Sequence, residues 1–183
     1  WAKKEMNLYD RAKNVLETLA SYEFGGRPII FICHSLGGLL VKQIIRTARE
    51  STDEDWQRIG ARCASVIFIA TPHSGSSLAG LLKFFVQGFT SVHVEKLLKD
   101  NAELVELNES FRAHCHRTSM AVSVYHEKHL TKKSFLVVDE RSADPGVNGA
   151  MPIPIDADHI NICKPSGRDD LIYTSIRHRL RKL

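Results

Sequence analysis

The sequence predicts an α/β fold in which a mostly parallel sheet is flanked by helices, and three observations predict it. Two short apolar runs, Ile29–Cys33 and Ala64–Ala70, have the length and composition of strands buried on both faces. Helical periodicity flanks the first run, over Asn7–Ser21 and Leu39–Arg49. Alternation of strands and helices favours parallel pairing. The length of 183 residues suggests a single domain, 1–183, with a sizeable core.

Each helix has its own sequence signals. Asn7 is suited to cap the first helix, whose apolar stripe faces the core. In Leu39–Arg49 the apolar side chains fall on one side, and Lys42 and the arginines are expected elsewhere. Trp56–Ala61 is predicted as a short helix or a connector. Asp169–Leu183 is predicted as the last helix, because its acidic start and basic end match the helix dipole.

Between the second strand and the later ones lies a strongly apolar segment, about 77–118. We expect either a helical cap that admits acyl chains or helices that pack on the sheet. Strands are predicted at Met120–Tyr125 and Phe135–Val138, and Pro152 and Pro154 indicate an extended segment.

The composition excludes several classes of protein. The net charge of +4 is mild and no arginine–aromatic pattern is present, so no nucleic-acid partner is expected. Four scattered cysteines favour a reduced, intracellular setting. No run has the length of a membrane span, and no signal peptide is recognisable. The basic end of the last helix leaves peripheral contact with anionic lipid as an alternative to simple solvation.

The junction between the first strand and the helix that follows it indicates a catalytic site. Ser35 lies between Cys33 and Gly37, and a nucleophile elbow needs small residues at those two places. Strand, sharp turn, serine and helix together predict an α/β-hydrolase fold with Ser35 as nucleophile. The alternatives are a serine that caps the helix and a phosphate-binding loop, but neither glycine-rich phosphate motif is present.

A serine nucleophile needs a base and an acid, which follow it in this fold in the order Ser, acid, His. His159 lies in a loop before the final helix and is the expected base. Glu127 directly follows a predicted strand and is favoured as the acid, with Asp139, after the next strand, as the alternative. The N–H of Leu36 is the expected oxyanion donor. No metal or organic cofactor is required.

Other polar residues admit competing interpretations. His73 follows the second strand and could act as a base, but we favour a role in structuring its loop. The run His114-Cys115-His116 suggests a metal site, but a solvated helix end is favoured because adjacent helical residues point in different directions.

Two expectations concern the sheet beyond these residues. With only the predicted strands, Ile29–Cys33 would be an exposed apolar edge, which proteins avoid. The second oxyanion donor normally lies upstream of the elbow, and residues 1–26 offer no such loop. Since the chain begins at Trp1 without a methionine, we expect part of the sheet and that donor to lie N-terminal to it.

Five segments identify a family resemblance: Arg27–Gln43, Ile67–Ser76, Val137–Ala143, Ile155–Pro165 and Asp170–Tyr173. They resemble the lipase-like α/β-hydrolases of the serine-active-site-containing protein family, with related domains in fungal NACHT and ankyrin receptors. The resemblance implies Ser35 as nucleophile, His159 as base and Glu127 as acid. It also implies lipid-ester chemistry associated with mitochondria and the endoplasmic reticulum. The family's upstream His-Gly segment is absent, and Asp139 stands where relatives often have proline.

The sequence therefore predicts a serine esterase or lipase-like acyl hydrolase, or a phospholipid transacylase, that acts on a lipid or other acyl ester. The rival hypothesis is a binding or signalling module that retains the fold without catalysis. Thioester or peptide cleavage by the same residues is a third hypothesis.

Overall fold

The computed structural model describes residues 6–24, 26–73, 101–131 and 136–182. The described strands form one parallel sheet in the order β1-β2-β3-β4. Their bounds are β1 (Ile29–His34), β2 (Cys63–Ile69), β3 (Ala121–Glu127) and β4 (Pro152–Ile155). The described helices are α1 (Leu8–Ser21), α2 (Gly37–Glu50), α3 (Glu54–Ala61), α4 (Asn101–Thr118), α5 (Glu140–Ala143) and α6 (Leu171–Leu180).

Short polar side chains begin several of these helices. The Asn7 side chain accepts a hydrogen bond of 2.8 Å from the Asp10 N–H, and Asp53 accepts one of 3.0 Å from the Trp56 N–H. Asp170 caps α6 in the same way. Each cap satisfies a backbone N–H that has no partner inside its helix, which fixes where the helix starts.

The sheet is covered on both faces. Val66, Phe68 and Val124 belong to one apolar cluster, which α2 and α4 complete. Ile67 and Tyr125 belong to a second cluster that includes Ile172 of α6. The alternation follows from strand geometry, in which successive side chains point to opposite faces. It explains why β2, apolar apart from Ser65, is buried on both sides.

The prediction of a strand buried on both faces is wrong for β1. Most of its side chains are only half-buried, and Ile32 is 50% exposed. In the described sheet β1 pairs with β2 alone, so one edge and part of one face lack cover. At the opposite end, Pro152 and Pro154 lie within β4, beside Val124 and His126 of β3. An outer strand tolerates the missing proline N–H groups, so the extended segment pairs as a strand.

The structure bears on two expectations about helices. Lys42 of α2 is not on a solvated side of its helix but is 1% exposed, since α2 lies between the sheet, α1, α3 and α4. Leu104, Leu107 and Phe111 of α4 point into the core, so 101–118 packs on the sheet, as the alternative to a cap supposed. The rest of the expected cap, 77–100, lies outside the described residues.

The end of α4 is also less solvated than expected. His114 and Cys115 are buried, and only His116 of that run is exposed. Burial lowers the pKa of His114 to about 4, assisted by the positive charges of Arg49 and Arg117. No helix within the described ranges combines the length and apolarity needed to cross a bilayer.

Candidate active site

Ser35 stands at the turn between β1 and α2. Its backbone has φ +54°, in the left-handed region that non-glycine residues rarely adopt. Its N–H donates to the Ile69 carbonyl at 3.0 Å, and its own carbonyl accepts from the Thr71 hydroxyl at 3.1 Å. These bonds tie the strained residue to the end of β2, so the turn is held from both sides.

The glycine that the turn requires is Gly38 rather than Gly37. A Cβ at position 37 would lie 3.8 Å from the Cβ of Cys33, which is ordinary contact. A Cβ at position 38 would lie 2.8 Å from the Cβ of Thr71, and still closer to that side chain's outer atoms. The tight approach is therefore between α2 and the loop after β2. The elbow motif predicts it instead between Cys33 and Gly37.

His159 lies in the loop after β4 and is 1% exposed. Its Nε2 is 2.9 Å from the Ser35 Oγ. Its backbone is fixed on both sides, because its N–H donates to the Thr131 hydroxyl at 3.2 Å and its carbonyl accepts from His34 Nε2 at 2.8 Å. The backbone of His159 is thus fixed by residues from two other parts of the chain, which sets the imidazole at the serine hydroxyl.

Glu127 is the last residue of β3 and is fully buried. One carboxylate oxygen, Oε2, is 3.3 Å from His159 Nδ1. The other, Oε1, accepts hydrogen bonds from the N–H groups of Val137 and Val138, at 3.0 and 2.6 Å. This explains why the predicted strand at Phe135–Val138 is wrong at its described residues: these N–H groups bind the carboxylate instead of a neighbouring strand. Phe135 lies outside the described residues.

The other candidate acids have different partners. Asp139 caps α5, accepting from the Ser142 N–H at 2.8 Å, and hydrogen bonds from the hydroxyl and N–H of Ser142 lower its pKa. Asp156 forms an ion pair of 2.6 Å with His129. Asp158 accepts from the backbone of the loop that follows it. Among the carboxylates named here, the structure therefore brings Glu127 to His159 and leaves Asp139 at a helix start.

Two further histidines lie near this edge. The His34 ring lies against that of His159, tilted by 42° with centroids 5.0 Å apart, and burial, reinforced by repulsion from His159, lowers the pKa of His34. The bond that His34 donates to the His159 carbonyl opposes this shift. His73 is hydrogen-bonded through Nδ1 to Lys42 Nζ at 2.5 Å and not to Ser35, in keeping with a role in its loop. Sequence reasoning assigned no task to His34 or Lys42, although His34 directly precedes the serine.

A cavity of about 380 Å³ opens over the serine. Its lining comprises His34, Ser35, Leu36, Gly37, His159, Ile160, Cys163 and Lys164. Leu36 precedes the first residue of α2, where backbone N–H groups have no partner within the helix. An oxygen bound in the cavity could therefore meet that N–H. Within the described ranges no three His, Cys, Asp or Glu side chains are grouped as metal ligands would be.

The topology explains why these residues meet. Because all four strands are parallel, their carboxyl ends share one edge of the sheet, where ligands bind in open α/β folds. Ser35 follows β1, Glu127 ends β3 and His159 follows β4. A hydroxyl, an imidazole and a carboxylate in this order have the arrangement that lets serine lose its proton to histidine.

This chain is similar to known proteins in both sequence and fold. Protein SERAC1 of Danio rerio and Protein SERAC1 of Homo sapiens are each 32% identical over 170 residues, covering 89% of this chain. The chain spans only 25% of the length of these curated relatives.

A solved structure of the NocB thioesterase domain, in covalent complex with a fluorophosphonate nocardicin G analog, superposes with a TM-score of 0.53 at 14% identity. It covers 98% of this chain and 77% of that one, which shows the α/β-hydrolase fold. The family model described as "Putative serine esterase (DUF676)" matches residues 9–103, more than half of the sequence. The chain therefore belongs to the DUF676 family, an esterase-like family of the α/β-hydrolase fold.

Proposed function

We propose that this protein is a serine acyl hydrolase that acts through Ser35, His159 and Glu127. The observation that supports it most strongly is the continuous line from the Ser35 hydroxyl to His159 Nε2, 2.9 Å, and from His159 Nδ1 to Glu127, 3.3 Å. With Nδ1–H donating to the carboxylate, Nε2 is left as an acceptor for the serine proton.

The first half of the reaction forms an acyl-enzyme. Ser35 Oγ bonds to the carbonyl carbon of the ester while its proton passes to His159 Nε2. The carbonyl oxygen becomes an oxyanion, which the Leu36 N–H stabilises. The intermediate collapses by breaking the bond to the leaving alcohol, which takes the proton from His159. Glu127 stabilises the imidazolium between these two proton transfers.

The second half repeats these steps with a different nucleophile. Water gives a proton to His159 and attacks the acyl-serine, and the carboxylic acid leaves as Ser35 recovers its proton. An alcohol in place of water would transfer the acyl group to that alcohol. Hydrolase and transacylase activity therefore require the same residues and differ only in the acceptor that reaches the acyl-enzyme.

The substrate class that we propose is an acyl ester, with lipid esters favoured by the sequence resemblance to lipase-like α/β-hydrolases. Leu36, Ile160 and Cys163 give the cavity apolar walls, and Lys164 adds a cationic group at its side. Such a lining suits an acyl chain whose ester is attached to a polar or anionic group. A panel of matched acyl esters and acyl thioesters would separate esterase from thioesterase activity.

The proposal is tested by labelling with a fluorophosphonate, which captures an activated serine. We expect the protein to be labelled, the modified peptide to contain Ser35, and Ser35→Ala to lose labelling. Ser65→Ala is the matched control, since Ser65 is also buried but lies at the far end of β2. Undiminished labelling of Ser35→Ala would place the nucleophile elsewhere. A folded wild-type protein that resists the probe would favour a binding module that retains the fold.

A further inference from the structure

Beneath the site, α2 holds a buried lysine. Lys42 is 1% exposed, and its Nζ lies 2.5 Å from His73 Nδ1 and donates to Asn108 Oδ1 at 2.7 Å. The same Nζ lies 5.5 Å from the ring centroid of Phe68 and 5.4 Å from that of Phe111. One amine therefore joins the nucleophile helix, the loop after β2 and helix α4.

The loop that Lys42 holds touches both halves of the proposed catalytic group. Thr71 donates its hydroxyl hydrogen to the carbonyl of Ser35 at 3.1 Å. Two residues later, the His73 N–H donates to the Ser142 carbonyl at 2.7 Å. Ser142 lies in α5, which starts just after Val138, a donor to the Glu127 carboxylate. Residues 71–73 thus lie between the nucleophile and the loop that fixes the acid.

We propose that Lys42 is a positioning residue, which acts through His73 to hold the 71–73 loop so that Ser35 and Glu127 keep the separation that His159 spans. This inference rests on the proposed function, because it concerns the geometry of that same site. An error of about 1 Å in such an arrangement lowers rates by up to about a hundredfold, so a rigid support beneath the turn has a direct effect on the reaction.

The polar cluster is costly to bury, which argues against simple packing. Burial lowers the pKa of Lys42 to about 7, against the opposing effect of the Cys33 and Cys115 thiols. His73 also has a pKa well below its usual value, and its Nε2 has no hydrogen-bond partner within the described residues. A methionine would fill the same space at lower cost. Directed bonds from an amine to Nδ1 and Oδ1 provide an orientation that an apolar side chain lacks.

Two substitutions of His73 distinguish the roles of its two ring nitrogens, Nδ1 and Nε2. Asparagine sets an amide oxygen near the position of Nδ1 and retains an acceptor for Lys42, whereas glutamine reaches the position of Nε2 and loses it. Both remove the ring and its edge contact with Phe68. If the contact with Lys42 matters, His73→Asn retains the function and His73→Gln does not. Lys42→Met removes the amine while keeping an apolar chain of similar length.

The measurement is the limiting rate and the half-saturating concentration for fluorophosphonate labelling, with thermal melting as a check on folding. We expect His73→Asn within about threefold of wild type, and His73→Gln and Lys42→Met slowed at least tenfold in limiting rate, with half-saturation unchanged. A purely structural role would lower the melting temperature without changing the limiting rate of the folded fraction.

Equal rates for the folded asparagine and glutamine variants, or a wild-type rate in folded Lys42→Met, would overturn the inference. If Lys42→Met does not fold, the two His73 variants decide. A wild-type protein that is labelled while Ser35→Ala is not leaves the proposed function standing in either case. A wild-type protein that is not labelled overturns both.

Discussion

Replacing Glu127 by glutamine tests the acid assignment through the tautomer of His159. The carboxylate is fully buried, and its Oε1 accepts from two backbone N–H groups at 3.0 and 2.6 Å. A glutamine oxygen must stay with these two donors, since leaving them unpaired costs about 1–3 kcal/mol for each. The amide NH₂ then faces His159 Nδ1 across the 3.3 Å contact. Nδ1 must accept, so the ring proton moves to Nε2.

The expected loss of reactivity at Ser35 follows from the proton on Nε2. A protonated Nε2 cannot accept from the Ser35 hydroxyl, and only the disfavoured tautomer reacts. The matching change in a serine protease lowers kcat by about 10⁴, and we expect a loss of about 10³–10⁴ here, equal to about 4–5.5 kcal/mol in barrier height. The assay is the second-order rate of fluorophosphonate labelling, with urea unfolding to show that Glu127→Gln folds.

Asp139→Asn is the matched control. Asparagine caps helices as well as aspartate does, so α5 should retain its start and labelling should stay within about threefold of wild type. The reasoning is refuted if Glu127→Gln reacts at a rate close to wild type while Asp139→Asn is slow. In that event Asp139 would be the acid, and the loop after β3 would have to rearrange in the reactive state.

Three further predictions concern the turn and the core. Gly38→Ala should cost about 1–3 kcal/mol of unfolding free energy through its clash with Thr71. Gly37→Ala, whose Cβ makes only an ordinary contact with Cys33, should stabilise by about 0.5–1 kcal/mol. Equal effects of the two substitutions in urea unfolding would argue against the close approach at position 38. Ser35→Gly should be more stable than Ser35→Ala by about 1 kcal/mol, because only glycine relieves φ +54°; the reverse order would exclude backbone strain. In the folded protein His114 has a pKa of about 4, so it binds fewer protons than it does in the unfolded chain. The free energy of unfolding should therefore fall as the pH drops from about 6.5 towards 4. His114→Gln should reduce that fall by about 1 kcal/mol at pH 4.5, measured against wild type, and an unchanged pH dependence would contradict the assignment.

Most of the fold could be predicted because its signals are local. The apolar run of β2 and the periodicity of α1 need no knowledge of the rest of the chain. The extended segment predicted at Pro152 and Pro154 is present and pairs with β3. The prediction fails where a partner decides the outcome: Val137 and Val138 do not form a strand, because the Glu127 carboxylate takes their N–H groups. Such choices depend on contacts that sequence spacing does not reveal.

For the site, chain order narrowed the candidates without deciding their roles. A serine at an elbow, an acid after a later strand and a late loop histidine follow from the fold's topology, and the structure brings Ser35, Glu127 and His159 within hydrogen-bond distance. The periodicity of α2 separates Lys42 from the apolar stripe, but it cannot detect that α4 covers that side of the helix as well.

The spacing of the sheet accounts for the side chains that meet at its edge. Ser35 and Glu127 belong to strands separated by β2, so their backbones are about 10 Å apart, two inter-strand spacings. Ile69, the last residue of β2, pairs with Tyr125 of β3. Since β3 continues for two more residues, Glu127 extends beyond the carboxyl end of β2. The imidazole fits into the gap above β2, with hydrogen bonds of 2.9 and 3.3 Å on its two sides.

The loop 71–73 follows β2 and contacts the carbonyl of Ser35 on one side and that of Ser142 on the other. We therefore expect a shift of this loop to alter the distance that the imidazole must cover. The carboxylate of Glu127 must also reach Val137 and Val138 while it faces His159, and an aspartate, one methylene shorter, would have to give up one of these contacts. The side-chain length at position 127 and the position of the 71–73 loop thus both set the distance that the imidazole spans, which explains why polar groups are buried at both places.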